Sequence, residues 1–297
     1  MNDLASNIDE NNVEEIKVCL RMRPLNKREC NPKLYKTSGE YAWKPMPQIN
    51  SIVQVQRSGT PTAKKDRKAG RSIFTFDKIF DGTDTTEYVY NFAGKELVQS
   101  TIEGRNGSIF AYGQTGSGKT HTMQGSGTIR DGMIKGKLGI IHMVARDLFK
   151  EAELIEGRDF VFNVSVIEVY NDEVRDLFSD SNKDSRLNIR EDASRGVFVD
   201  TTRIEANSLK KLLSCLSAGE RNRVVAKTTL NKRSSRSHII FSINIDSFPV
   251  DDISGSGEHS RRSTLNLVDL AGSESVRHRS SHSTDQRRKE GGSINKR

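Results

Sequence analysis

Cysteine is scarce in this chain of 297 residues: Cys19, Cys30 and Cys215 stand apart, with no CxxC and no nearby histidine pair. A sparse, odd set of this kind argues against a disulfide framework and a cysteine-based zinc site, and it suits a reducing compartment. Long apolar runs are missing as well, none approaching the roughly 20 residues that span a bilayer. The opening MNDLASNIDENN is polar and acidic, unlike a signal peptide. No internal repeat is found. What the chain does have is charge: 47 Lys and Arg against 39 Asp and Glu, a net +8. That balance favours an acidic partner surface, and by itself it leaves nucleic acid, membrane and acidic protein equally open. Apolar runs recur from Ile16 to Leu270, so a sizeable core is expected, in one large domain or two ordinary ones.

Residues 1–13 read as a disordered arm. Ile16, Val18 and Leu20 alternate with Lys17, Cys19 and Arg21, a period-2 strand that stops at Arg23-Pro24. Gln56 to Arg71 (QRSGTPTAKKDRKAGR) is a basic surface connector. Ser72 to Phe76 is a second strand, Thr85 to Ile102 a helix, and Gly107 to Tyr112 a short, nearly all-apolar strand of the kind buried in a parallel sheet. A helix is expected from about Thr120, broken by the glycines of Gly125 to Gly139 and resuming at Ile140. Phe160 to Tyr170 is a long strand. Ser208 to Ala218 is a helix with Leu209, Leu212, Leu213 and Leu216 inward and Gly219 at its end. Strands follow at Ile239 to Ile245 and Thr264 to Leu270. Strands interleaved with helices predict an α/β fold: a P-loop three-layer sandwich, with a mixed, mostly parallel central sheet and helices on both faces.

Three loops carry chemistry. Gly113-Gln114-Thr115-Gly116-Ser117-Gly118-Lys119-Thr120 satisfies G-x-x-x-x-G-K-[ST] and stands between a buried strand and a helix start. Its glycines let the backbone turn and aim N–H groups at phosphate oxygens. Lys119 reaches the β- and γ-phosphates, and the Thr120 hydroxyl ligates Mg²⁺. Asn231 to His238 (NKRSSRSH) reads by itself as a polar turn before a strand. Asp269 to Glu274 (DLAGSE) follows an apolar strand, where an acidic residue can hold Mg²⁺ or its water and the glycine can offer an N–H to a terminal phosphate.

Taken together, LRMRPL (Leu20 to Leu25), FAYGQTGSGKTHTM (Phe110 to Met123), IEVYNDEVRDL (Ile167 to Leu177), NKRSSRSH and LVDLAGSE (Leu267 to Glu274) resemble the kinesin motor domain. Phrases such as KIFDGTDTTEYVY are most like the centromere-associated group. The resemblance makes residues 14–297 the motor domain and implies an ATPase that moves on microtubules, in the cytoplasm and on the cytoskeleton. It implies ATP and Mg²⁺ as ligands, tubulin as partner, no nucleic acid or membrane partner, and dimerisation only through regions outside this chain. Arg23 and Pro24 would pack on adenine, and Gly113 to Thr120 would hold the phosphates. Ser235, with Ser234 beside it, would position Mg²⁺ and the attacking water. Asp269 would hold the metal through water, Gly272 would contact the γ-phosphate, and Arg236 would pair with Glu274.

The family continues beyond a segment like Ile294-Asn295-Lys296 with filament-binding helices, a strand and a neck linker. The expectation for the chain ending at Arg297 is therefore ATP binding with impaired movement. An interior sheet position would be left open beside the strands that carry Arg23 and Asp269. A non-catalytic nucleotide-binding module is the alternative. A GTPase is a lesser one, because D-x-x-G is present but Asn26-Lys27-Arg28-Glu29 only approaches the guanine motif.

Overall fold

A computed structural model describes residues 16–27, 29–31, 43–54, 72–130, 133–179, 186–193, 196–230, 236–250 and 259–274. The expected N-terminal arm and the basic connector lie outside them. The chain divides into two compact units, Met1–Asp84 and Thr85–Arg297.

In the first unit, β1 (Cys19–Arg21) runs parallel to a later strand, β5 (Lys78–Phe80). Three further strands, β2 (Trp43–Met46), β3 (Ser51–Gln54) and β4 (Ile73–Thr75), form an antiparallel sheet. Between β2 and β3 a single 3-10 turn over Pro47–Ile49 ends on Asn50, whose φ of 47° lies in the left-handed region that asparagine tolerates. Trp43 and Phe74 meet across this sheet with ring centroids 5.7 Å apart.

The second unit opens with two helices where one was expected, α1 (Thr86–Ala93) and α2 (Lys95–Ile102). Thr85 caps the first by accepting the Tyr88 N–H at 3.1 Å. The break falls at Gly94, where a Cβ would sit 2.8 Å from the Tyr90 ring. Then come β6 (Gly107–Ala111) and a short α3 (Lys119–Met123). A two-stranded hairpin of β7 (Thr128–Arg130) and β8 (Met133–Lys135) follows, within the glycine-rich interruption, and α4 (Ile140–Glu153) comes after it. Strands β9 (Arg158–Tyr170) and β10 (Glu173–Asp176) form a tight hairpin, with β11 (Arg186–Leu187) beyond. A separate hairpin pairs β12 (Ile189–Asp192) with β13 (Gly196–Val199), and β14 (Ile204–Glu205) returns to β9. The unit closes with α5 (Leu209–Leu230), β15 (His238–Pro249) and β16 (Arg261–Asp269).

The main sheet has the order β11-β10-β9-β15-β16-β6, with β14 also on β9. It is mixed, as an α/β P-loop fold requires, but not mostly parallel among the described residues. Only β16–β6 is a parallel ladder. The others are antiparallel because long strands fold back directly on their neighbours. Ile239, Phe241, Ile243 and Ile245 of β15 and Leu265 and Leu267 of β16 are all buried on one face. Helix α2 meets that face, since Ser263 donates to the Thr101 carbonyl at 2.6 Å. Helix α5 lies on the same face, with Gly219 against Val166, the residue paired with Phe241. Contacts among α1 to α5 join the described helices into one layer. The other face is half-buried and partly polar, with Ser242 donating to Asn266 Oδ1 at 2.7 Å and Thr264 to Asn244 Oδ1 at 3.1 Å.

Two further expectations change. Helix α5 does not end at Gly219 but runs eleven residues further, to Leu230. The glycine serves close approach instead: a Cβ there would stand 3.0 Å from Val166 Cγ2. And β16, which carries Asp269, has a neighbour on each side. Among the described residues the sheet order ends at β11 on one side and on the other at β6, which leads into the phosphate loop.

Candidate functional site

The parallel ladder explains why the loops meet. Asp269 is in register with Ala111, so both strands deliver their C-terminal ends to the same edge. From β6 the chain enters Gly113 to Thr120. Gly116 (φ +82°) and Gly118 (φ +102°) adopt left-handed backbone that other residues resist. A turn closed by Ser117 N–H to the Gln114 carbonyl (3.1 Å) curls the loop. Lys119 folds across it, donating to the carbonyls of Gly113 (2.9 Å) and Gln114 (3.1 Å). Burial pushes the Lys119 ammonium below its usual pKa, and the charges of Asp269 and Glu274 partly restore it.

The Thr120 hydroxyl donates to Asp269 Oδ2 at 2.6 Å. The other carboxylate oxygen, Oδ1, is buried and makes no hydrogen bond among the described residues. A hydroxyl beside an orphaned carboxylate oxygen suits a hard cation such as Mg²⁺. No cluster of three His, Cys, Asp or Glu occurs among the described residues. A cation here would therefore draw its remaining ligands from water and phosphate, as Mg²⁺ does. Behind Asp269 lies a buried polar cluster that sequence reasoning missed. Arg223 of α5 stands 3.9 Å from Asp269 Oδ2 and 3.7 Å from Glu168 Oε1 of β9. It also donates to the Ser237 hydroxyl (3.2 Å) and carbonyl (3.3 Å). All four residues are buried. One signal was available: Glu168 is the single charge in the otherwise uncharged run Phe160 to Tyr170.

The loop after Asp269 is pinned at nearly every step. Leu270 N–H donates to the Ala111 carbonyl (3.2 Å), Ala271 N–H to His238 Nδ1 (3.2 Å) and Ser273 N–H to the Gly113 carbonyl (3.1 Å). Glu274 accepts from the Thr115 N–H (2.8 Å) and hydroxyl (2.5 Å). Gly272 is buried, and among Leu270 to Ser273 its N–H is the one that donates to no described residue. A Cβ on Gly272 would lie 2.3 Å from Glu274 Oε2 and 2.4 Å from Thr115 Oγ1, so any other residue there would have to displace those two side chains.

Thus Thr115, Lys119, Thr120, Asp269, Gly272 and Glu274 come together. Arg236 is half-buried just ahead of β15, while Ser234 and Ser235 lie outside the described residues. Arg23 and Pro24 belong to the first unit. There the Arg23 guanidinium is held by Glu29 through two contacts of 2.6 and 2.7 Å, and Glu29 also accepts the Asn26 N–H at 2.9 Å. Those bonds hold the Glu29 carboxyl down at about 2. In the second unit the β12–β13 hairpin exposes Ile189 and Val197 and carries an Arg190–Asp200 pair at 3.3 Å. No described helix is long and apolar enough to cross a membrane.

A glycine loop ending in Lys-Thr, with an aspartate from the adjacent strand bonded to that threonine, is the arrangement of a P-loop nucleoside triphosphatase. Comparison with known proteins narrows the class. The family model for the kinesin motor domain matches residues 21–297. Human centromere-associated protein E is 38% identical over 282 residues, which is 95% of this chain and 9% of that protein. Kinesin-like protein KIN-7D, chloroplastic, of Oryza sativa subsp. japonica is 38% identical over 284 residues, 95% of this chain and 25% of that protein. A solved structure of a fast kinesin, titled for its ATPase mechanism and interactions with microtubules, superposes with a TM-score of 0.76 at 30% identity. It covers 93% of this chain and 71% of its own. The chain belongs to the kinesin motor domain family. It spans 9 to 25% of the length of these two relatives.

Proposed function

We propose that this chain binds Mg-ATP in the Gly113 to Thr120 loop and couples its hydrolysis to movement on microtubules, as one motor domain over residues 14–297. The observation that carries the reading is the junction of the two loops: Thr120 bonded to Asp269, and Gly272, buried beside Thr115, between two neighbours whose N–H groups are both held. In this reading Lys119 leaves the loop carbonyls for the β- and γ-phosphates. Gly116, Gly118 and their neighbours line the phosphates with N–H groups, while Gln114, Thr115 and Ser117 shape the loop. Thr120 and Asp269, with Ser235, hold Mg²⁺, which supplies positive charge to the phosphate oxygens. Gly272 donates to the γ-phosphate. Arg236 pairs with Glu274 to fence in the attacking water, with Ser234 and Ser235 orienting it. Catalysis is then positioning plus electrostatics. Arg23 and Pro24 pack on adenine, with Glu29 fixing the guanidinium. The tubulin surface is the acidic partner that the net +8 fits, and the segment Leu187 to Arg203 lies near it, placing the protein on cytoplasmic microtubules.

Titration with a fluorescent ATP analogue, beside steady-state ATPase assays with and without microtubules, tests this. Lys119→Ala should cost about 1.5–3 kcal/mol of ATP affinity through loss of a charge-assisted contact. Unchanged affinity in that variant would sink the assignment. Binding without turnover in the unaltered chain would favour the non-catalytic module, and tighter binding of GTP than ATP the GTPase.

A further inference from the structure

His238 closes the motif NKRSSRSH yet has no part in the chemistry above. It opens β15, one residue before Ile239, which is in register with Asp269. Its ring therefore reaches past the last paired residue of β16 and meets the loop beyond. There Nδ1 accepts the Ala271 N–H at 3.2 Å, so the neutral ring carries its own proton on Nε2.

The consequence concerns the next amide. Gly272 is flanked by two held peptides: the Ala271 N–H ends on His238 and the Ser273 N–H on the Gly113 carbonyl. An amide between two anchored peptides has its direction set by them. The Gly113 anchor is backbone and comes with the phosphate loop. The His238 anchor is a side chain, carried by the strand that follows Arg236 and Ser237. It ties the end of the second loop to the amide of the third.

We infer that His238 is a positioning residue for hydrolysis. Its Nδ1 holds the Ala271 peptide so that the Gly272 N–H points where a terminal phosphate would lie. The inference rests on the motor ATPase reading for its effect on turnover, but not for the anchor itself. An interaction that aims a donor without touching bound nucleotide should act on kcat and spare KM.

The side-chain amides separate this from a packing role. His238→Asn places an oxygen where Nδ1 stands. His238→Gln carries the same amide one carbon further out, and His238→Ala removes the acceptor without adding bulk. In steady-state ATPase assays the Asn variant should keep kcat within about threefold. The Gln and Ala variants should lose about tenfold in kcat with KM for ATP within about twofold, the scale of one misplaced hydrogen bond. Hydrogen–deuterium exchange over residues 265–273 supplies a readout independent of turnover: the Ala271 amide should stay protected in the Asn variant and exchange faster in the Gln and Ala variants. Equal exchange in all three variants overturns the inference. So does a Gln variant that keeps kcat, or one that loses ATP affinity with kcat intact. If the unaltered chain shows no hydrolysis, the motor reading fails, and the exchange arm still decides whether His238 holds the loop.

Discussion

Arg223 and Arg190 both pair with carboxylates in the same unit, and the shorter contact is the weaker one. Arg190 lies 3.3 Å from Asp200 on the open β12–β13 hairpin, with both side chains about three-fifths exposed. Arg223 lies 3.7 and 3.9 Å from Glu168 and Asp269, all nearly withdrawn from water. Water and salt screen the first pair almost completely. The second group has no such screening, so removing one member leaves charge stranded in a poorly polarisable interior. Distance therefore does not rank these interactions, and burial does. The cluster behind Asp269 is thus mutually dependent and shielded, whereas the β12–β13 hairpin carries a replaceable pair.

The contrast can be broken most severely at its buried end. Arg223→Met should lower the free energy of unfolding by about 3–5 kcal/mol in urea, because Glu168 and Asp269 then lose their cation. A loss under about 1 kcal/mol would mean that the cluster is better hydrated than its burial indicates. Next in size is a change that strikes function and spares the fold. Gly272→Ala forces a methyl against Glu274 and Thr115. Turnover should fall on the order of a hundredfold, the scale of losing one oriented donor, while affinity for the fluorescent ATP analogue stays within a few-fold. Normal turnover would show that the loop has room that the distances deny.

At the exposed end the effects shrink. Arg190→Ala should change stability by about 0.5 kcal/mol or less. It should weaken co-sedimentation with microtubules at low salt and match the unaltered chain at moderate salt. A salt-independent defect would count against a screened contact. Smallest is Glu29→Gln, on the half-buried pair with Arg23. The folded carboxyl sits near 2 against an ordinary 4.5. Its contribution is thus complete above 4.5 and is lost as pH falls toward 2. Acid melts should show the variant and parent converging across that window, and identical curves at neutral pH would show that the pair adds nothing.

The phosphate loop was legible because its geometry is local: glycine spacing, a preceding apolar strand and a following helix all lie within one short window. Asp269 was legible for the same reason. Arg223 was not, since a basic residue in a helix carries no mark of the strands it faces, and its partners lie 55 and 46 residues away. His238 was seen as the end of a motif, but the Ala271 N–H it accepts depends on strand register. Helix α5 was cut short because glycine so often ends helices. At Gly219 the need for close contact with Val166 overrides that local rule. The expected majority of parallel strands failed because strand character can be read from apolar runs and strand direction cannot.

Gly219 also has a mechanical meaning. With no side chain between helix and sheet, it is the point where α5 bears on β9, in effect a fulcrum. Arg223 lies four residues beyond it and Leu230 eleven, or about 6 and 16 Å along the axis. A tilt of α5 about that bearing moves the end that leads into NKRSSRSH nearly three times as far as it moves the Arg223 guanidinium. Close contact at one glycine therefore makes the C-terminal end of α5 the part of the helix that any such tilt would displace most.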